Sequence, residues 1–224
     1  MGSDNSPKSR QRANIARKQN IRASYERILI VTEGTKTEPL YLNEIRTKLR
    51  IGTANIQVQP GGLGTSPIQV VKYAQQLFEV GDSFKRIPKR AFEKVCAVFD
   101  RDDHFSYFDA LELAASLDKK MRNDAGQLVE FRAIASVPSF ELWLLLHYED
   151  IQHPLHRDEV MRRLKTHIPA YEKGVGGSYA ITNQHIETAT ARAYLLAERS
   201  NAFIDTEPYT DIAHLVALLN TLKA

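Results

Sequence analysis

Two short apolar segments, each followed at once by acidic residues, constrain this fold more than any other feature of the chain. The first is residues 28–31 (ILIV), and Glu33 follows it. The second is residues 95–99 (VCAVF), which Asp100 and Asp102 follow. Apolar runs without polar alternation are typical of parallel strands that are buried on both faces. Because ligands bind at the carboxyl ends of such strands in open α/β sheets, the three acids are expected to converge there.

Strand and helix patterns alternate along the first two thirds of the chain, and only helix patterns follow. This order predicts an α/β fold with a mostly parallel central sheet, flanked by helices, and a helical C-terminal third. We expect a basic N-terminal arm at 1–24, an α/β core at 25–148 and a helical region at 149–224 that packs on the core. Strands are predicted at 27–32, 55–59, 94–99 and 129–137, and helices at 11–23, 38–49, 67–79, 106–121, 139–148, 157–167, 184–199 and 210–222.

The acids at the predicted sheet edge form the first candidate site. Asp100 and Asp102 are two residues apart in an extended segment, so their side chains point to the same side, as two ligands of one metal ion must. Together with Glu33 they would repel one another unless a cation lay between them, and hard oxygen ligands favour Mg²⁺ or Mn²⁺. The alternative for Glu33 is an exposed acid in a turn. A metal site of this kind is typical of phosphoryl-transfer chemistry.

Two further acids have alternative structural explanations. Glu38 fits a capping box with Thr35 as the N-cap, which favours a structural role over a catalytic one. Glu141 begins a segment that is apolar almost all round, and a carboxylate there needs a metal ion, an arginine or the helix N-terminus as its partner. With Ser139 as the N-cap, Glu141 is either a ligand of a second metal ion or an acid of the first helical turn. Trp143 is expected in the core.

Basic residues are concentrated before the first strand. Residues 1–27 contain seven Lys or Arg against two acidic residues, although the net charge of the whole chain is only +3. Such a basic arm is typical of a polyanion-binding protein, and a solubilising leader is the alternative. The residues expected to contact nucleic acid are Arg12, Arg17, Lys18, Arg22, Lys36 and Arg101.

The remaining composition limits the class of protein. The lone Cys96 lies within a predicted strand, so it is expected to be a buried core residue, and no intrachain disulfide can form. No apolar stretch approaches the roughly 20 residues that span a bilayer, and no apolar segment typical of a secretory signal lies near the N-terminus. The chain is therefore expected in the cytoplasm, without a membrane partner. Two roles stay open for His104, which either contacts a phosphate or is a solvated loop residue.

Three motifs resemble the RloB family, which includes the AbiLii-type abortive-infection proteins of bacteria. They are IVTEGTKTEPLY (residues 30–41), FDRD (99–102) and SFELWLLLH (139–147). A strand followed by Glu-Gly and a later strand followed by Asp-x-Asp also resemble the Toprim fold. This resemblance implies a Toprim-like, metal-dependent nuclease of anti-phage defence, often encoded beside an ATPase partner. It matches Glu33 to the Toprim glutamate, and Asp100 and Asp102 to the aspartate pair, whereas Glu141 has no counterpart in that pattern.

Three functions of different classes are compatible with these features. The leading one is a Mg²⁺-dependent nuclease acting on DNA or RNA, in which Asp100, Asp102 and Glu33 hold the metal ion. The Toprim resemblance implies that Glu33 is also the general acid or base. The second is a non-catalytic nucleic-acid-binding subunit with a structural metal ion, and the third is an enzyme that acts on a small phosphorylated substrate. Because acids near phosphates weaken binding unless a cation intervenes, the converging acids favour catalysis. The sequence leaves open the polymer, the trigger, the need for a partner protein and whether the chain forms a homo-oligomer.

Overall fold

A five-stranded sheet forms the centre of the protein. The computed structural model describes residues 26–53, 56–64, 66–101, 105–204 and 207–222. Its strands are β1 (Ile28–Thr32), β2 (Ile56–Pro60), β3 (Lys94–Asp100), β4 (Glu130–Val137) and β5 (Tyr209–Thr210). They are ordered β2-β1-β3-β4-β5, and the first four are parallel, while β5 is antiparallel to β4. The mostly parallel α/β fold expected from the sequence is confirmed.

Eight α-helices of the described residues cover the two faces of this sheet. They are α1 (Thr37–Lys48), α2 (Pro67–Val80), α3 (Tyr107–Leu117), α4 (Glu141–Leu146), α5 (Arg157–His167), α6 (Ser178–Thr182), α7 (Ile186–Arg199) and α8 (Ile212–Thr221), and a 3₁₀ turn, Asn183–His185, precedes α7. Helices α2 and α3 contribute to the core on one side of the sheet, and the other six contribute to the core on the opposite side.

Side-chain alternation along the central strands divides the core between the two faces. Strand β1 is buried over its whole length, between β2 and β3. Ile30 and Cys96 face the larger core with the C-terminal helices, whereas Val31 and Phe99 face the core formed with α2 and α3. Because helices cover both faces, these strands need apolar residues at every position, which explains their continuous apolar runs. Cys96 is buried, as expected.

The sequence predicts the start of α2 correctly, but it predicts an end of α3 that lies after the observed one. Helix α2 begins as predicted: the N–H and the hydroxyl of Ser66 both donate to Oε1 of Gln69, at 3.2 and 2.8 Å. Helix α3 is shorter than the predicted 106–121, since Asp118 has an extended ψ of 126° and Lys119 a left-handed φ of 54°. The helix therefore ends at Leu117, before the last residues of the predicted helix.

Two elements were not predicted. Strand β5 has two residues, and its pairing of Thr210 with Ser136 adds an antiparallel edge to the sheet. Helix α6 has five residues and follows Gly177, which has a left-handed φ of 96°. Both are too short to produce a periodic pattern, so tertiary contacts and not local sequence determine them.

The C-terminal third is helical, as expected, and its helices share a core with the sheet. Ala193 of α7 and Leu215 of α8 belong to the same buried cluster as Ile30. The predicted division at residues 24 and 148 stays a prediction, and the basic arm with its predicted helix at 11–23 lies outside the described residues. Among the helices that are described, none is both long and apolar enough to cross a membrane.

Candidate acidic site at the carboxyl edge of the sheet

Glu33 and Asp100 meet at the carboxyl edge of β1 and β3. The backbone N–H of Glu33 donates to the carbonyl of Val98 at 2.8 Å, which extends the parallel pairing by one residue beyond β1. The Glu33 carboxylate then accepts a hydrogen bond from the backbone N–H of Asp100, at 3.0 Å. The two acids that the sequence placed at this edge are therefore neighbours, and Glu33 has a defined position instead of an exposed turn conformation.

Glu141 reaches the same edge from β4. Its side chain is 2% exposed, at the start of α4. One carboxylate oxygen accepts a hydrogen bond from the Ser139 hydroxyl at 2.8 Å. The other accepts one from the Tyr171 hydroxyl and pairs with the Lys173 ammonium, both at 3.1 Å. The predicted N-cap role of Ser139 is wrong, because Phe140 occupies that position and the Ser139 hydroxyl binds Glu141.

Glu38 is a fourth acid, which comes from the α1 side, and its predicted capping box is wrong. Helix α1 begins at Thr37 with Lys36 as the N-cap and without a side-chain capping bond. Glu38 is buried instead, and its carboxylate lies so close to Gly34 that a Cβ atom there would overlap it. Any other residue at position 34 would therefore have to displace the Glu38 carboxylate from its present position.

The electrostatics of the site are dominated by neighbouring negative charges. Asp100 is partly accessible as a residue, but its carboxyl is enclosed, and this burial is the largest cause that raises its pKa well above the ordinary value. Glu38, Glu141 and Glu33 raise the pKa further, in that order, since each disfavours a second negative charge nearby. The site therefore holds carboxylates whose ionised forms repel one another.

Two partners of Glu141 respond to the same charge. Burial raises the pKa of the Tyr171 hydroxyl, and Glu141 raises it further, so Tyr171 stays a hydrogen-bond donor. Burial opposes the charge of Lys173, yet Glu141 and then Asp100 raise the pKa of its ammonium group. Lys173 therefore brings one stable positive charge to the acids, from a side chain that is half exposed.

The donor chemistry of this edge suits a hard divalent cation. Carboxylate oxygens are the preferred protein ligands of Mg²⁺, and the raised pKa of Asp100 reflects a demand for positive charge. Within the described ranges, however, no three His, Cys, Asp or Glu side chains form a group that could hold a metal ion. Asp102, the remaining predicted ligand, lies outside those ranges. The cation site predicted for Glu33, Asp100, Asp102 and Glu141 therefore stays a prediction.

The profile of the RloB-like protein family matches residues 28–219. The chain belongs to the RloB-like family. The matched range includes all the acids of this edge, and the family expected from the three sequence motifs is confirmed. No curated protein and no solved structure matches the chain significantly.

The basic residues predicted for this RloB-like chain have different positions. The Arg101 guanidinium lies over the rings of Tyr107 and Phe108, with 5.2 and 5.6 Å to the ring centroids. Lys36 is exposed, and its aliphatic carbons lie against Gly174. Contact with nucleic acid stays a prediction for both. The other candidate basic residues, Arg12, Arg17, Lys18 and Arg22, lie outside the described residues, as does His104.

Sequence reasoning missed Tyr171 and Lys173. They lie in the segment between α5 and α6, about thirty residues after Glu141, and this segment is fastened to α1 by a bond from Gly174 N–H to Thr37 Oγ1, at 2.9 Å. The glycines that follow Lys173 indicate a loop, but no local pattern indicates that the loop returns to the sheet edge. The sequence did contain one signal: Glu141 begins an apolar segment and has no base near it in the chain. A buried acid of this kind requires a partner from a distant segment.

Proposed function

We propose that this chain is a metal-dependent nuclease that cleaves phosphodiester bonds in nucleic acid, and that it acts as an effector of anti-phage defence. The observation that carries the proposal is the enclosed carboxyl of Asp100, next to the Glu33 carboxylate that its N–H binds, with a pKa that burial and then Glu38, Glu141 and Glu33 raise. An arrangement of this kind weakens folding, and acids with raised pKa values are concentrated at functional sites. The defence role and a partner ATPase rest on the resemblance to the RloB family.

The chain's own residues would hold and orient the reacting groups. Glu33 is fixed by the Asp100 N–H, so one of its oxygens stays directed at the end of β3. Ser139 and Tyr171 hold Glu141 from two sides. A Mg²⁺ or Mn²⁺ ion, when bound by these acids with Asp102, would neutralise charge on the phosphate and lower the pKa of an attacking water. Glu33 is the candidate general acid or base.

Cleavage assays test this proposal most directly. Labelled single-stranded and duplex DNA, total RNA and tRNA would be incubated with Mg²⁺, Mn²⁺ or EDTA. We expect metal-dependent cleavage by the wild type that falls by more than about 100-fold in Asp100→Asn and in Glu33→Gln, since even residues that only support a metal ligand contribute 10- to 100-fold. Glu79→Gln is the matched control, because Glu79 is an exposed acid at the end of α2, near the opposite edge of the sheet.

A second candidate function is that of a non-catalytic nucleic-acid-binding subunit. It is favoured by one observation: the acids of the described residues do not by themselves complete a metal-binding group. Binding without cleavage, in the wild type and in Asp100→Asn alike and also after addition of a candidate partner ATPase, would support this candidate. Cleavage in EDTA, or full cleavage by Asp100→Asn, would contradict the proposed metal-dependent site.

A further inference from the structure

Exposed aromatic side chains lie on two chain segments that meet at the buried Tyr107, on the α3 side of the sheet. Phe105 is fully exposed, Phe203 is about half exposed and Phe108 is more than one third exposed. We refer to these three residues as the aromatic patch. Large apolar side chains that stay in solvent are common singly, but a group of them beside a candidate active site indicates a binding surface.

One buried tyrosine fastens the two halves of the patch together. The Tyr107 hydroxyl donates to the carbonyl of Ala202 at 2.8 Å, which ties the first turn of α3 to the segment that carries Phe203. The ring of Tyr107 also packs edge-on against Phe108, with 5.3 Å between centroids. Tyr107 therefore contacts Phe108 directly and joins the backbone near it to the segment that carries Phe203.

Arg101 adds a positive charge to this surface. Its planar guanidinium lies over the Tyr107 and Phe108 rings. Arg101 directly follows Asp100, and neighbouring residues of an extended strand point to opposite faces. Asp100 accordingly faces the acids on the α1 and α4 side, while Arg101 faces the aromatic side chains of α3. The two surfaces thus meet at the end of β3.

We propose that the aromatic patch, with Arg101, binds unpaired nucleotides by stacking and directs a single-stranded segment across the sheet edge to the acidic site. The inference deepens the proposed function, on which it rests for the identity of the polymer. Aromatic rings bind the flat faces of bases, which a duplex keeps stacked, so the patch selects single strands or unpaired loops. The guanidinium supplies attraction for the phosphates, which the nearby carboxylates repel.

A binding measurement in EDTA tests the inference separately from cleavage. Fluorescence anisotropy would follow labelled single-stranded DNA and RNA of one sequence, with the corresponding duplexes for comparison. We expect the single strands to bind more tightly, and Phe105→Ala and Phe203→Ala each to weaken them by about fivefold or more, the usual loss for one stacked base. Arg101→Gln is expected to weaken single-strand binding and to reduce its salt dependence.

Phe84→Ala is the matched control. Phe84 is as exposed as Phe105, but it lies between α2 and β3, at the amino edge of the sheet, so its removal is expected to leave binding unchanged. Each variant would also be compared with the wild type by light scattering, which detects self-association.

Four results would overturn the inference. They are no oligonucleotide binding by the wild type, equal binding of duplex and single strands, patch variants that bind as the wild type does, and patch variants that only change the oligomeric state. The last would make the patch a contact between copies of the chain. Binding is measured in EDTA, where the proposed metal-dependent cleavage does not operate. A protein that binds single strands through the patch but cleaves nothing in the assays with Mg²⁺ or Mn²⁺ would contradict the nuclease proposal alone. Cleavage with patch-independent binding would contradict this inference alone.

Discussion

Acids lie at both edges of the central sheet, but their surroundings differ. At the amino edge, the Arg27 guanidinium bonds to Glu93 and Asp124, with shortest distances of 2.6 Å to each. Lys94, at the start of β3, pairs in the same way with the acid that begins β4, Glu130. At the carboxyl edge, by contrast, the carboxylates of Glu38, Glu141 and Glu33 raise the pKa of Asp100. Acids are thus paired with bases at the amino edge, whereas at the carboxyl edge Asp100 has acidic neighbours although Lys173 pairs with one of them, Glu141.

The pKa values follow this difference. A hydrogen bond from Lys94 is the largest cause that lowers the pKa of Glu130, and Arg132 lowers it further. Burial and neighbouring carboxylates raise the pKa of Asp100. An acid with a lowered pKa stabilises the fold when it is ionised, whereas one with a raised pKa destabilises it. The amino edge is therefore organised for stability, and the carboxyl edge retains repulsion that a bound cation would relieve.

Removal of the central base of the amino edge is expected to have the largest effect on stability. Arg27→Met takes away the bonds to Glu93, which is partly buried, and to Asp124, which is about half exposed, so the free energy of unfolding should fall by about 1 to 2 kcal/mol. Urea denaturation of the purified variant measures this loss. Arg162→Met is the control: Arg162 pairs with Glu159 on an exposed helix face, and its loss should leave stability unchanged. An equal loss in both variants would show that the amino edge has no special role.

Asp100→Asn is expected to raise the free energy of unfolding, whereas Arg27→Met lowers it. Without metal ions, in EDTA, the substitution removes a buried negative charge, and we expect stability at neutral pH to rise by about 1 kcal/mol, a gain typical of substitutions that relieve a functional site. Glu130→Gln is the matched variant at the other edge, and it should lose stability at neutral pH. A loss of stability in Asp100→Asn would mean that the acid is part of the structural framework, and the comparison between the two edges would fail.

The pH dependence of these two variants sharpens the test. Unfolded Asp titrates near 3.9 and unfolded Glu near 4.3. The folded protein keeps a proton on Asp100 above pH 3.9, so its stability falls as the pH rises toward the raised pKa of Asp100, and the gain from Asp100→Asn should disappear below about pH 4. Glu130 stabilises the fold above its unfolded value, and this contribution is lost as the pH falls toward its lowered pKa. Thermal melts across this range should therefore show opposite effects that both vanish in acid.

The fold could be predicted from the sequence because each central strand and most helices have a pattern of residues within their own segment. Strands β1 and β3 have continuous apolar runs since helices cover both faces of the sheet. The acids that follow them lie at the same edge in any parallel arrangement, and they meet because β1 and β3 are neighbours. The contact between Glu33 and the Asp100 backbone follows from this geometry. Strand β5 has no such signal, because two residues cannot form a pattern.

The site was predicted less completely, since its partners come from distant segments. Glu38 matches a capping pattern within four residues, and this pattern led to the prediction of a capping role. In the structure, Glu38 instead raises the pKa of Asp100. The pairing of Glu141 with Tyr171 and Lys173 depends on how α5 and the segment after it return to the sheet. Tertiary packing decides this return, and a single sequence contains no periodic signal for it.

Lys173→Met is expected to have the smallest effect, and it addresses the charge balance of the carboxyl edge most directly. The ammonium pairs with the buried Glu141, but it is half exposed and screened by water, so its contribution to the charge balance is about 1 kcal/mol at most. If Lys173 acts as an internal counter-ion, its removal should strengthen Mn²⁺ binding by up to about fivefold, measured by electron paramagnetic resonance without nucleic acid. Lys165→Met, which changes a basic residue on the last turn of α5, is the control. Weaker Mn²⁺ binding in Lys173→Met would instead mean that Lys173 holds Glu141 in the position from which it binds the ion. In that case the displacement of the Glu141 carboxylate weakens Mn²⁺ binding more than the removal of a competing positive charge strengthens it.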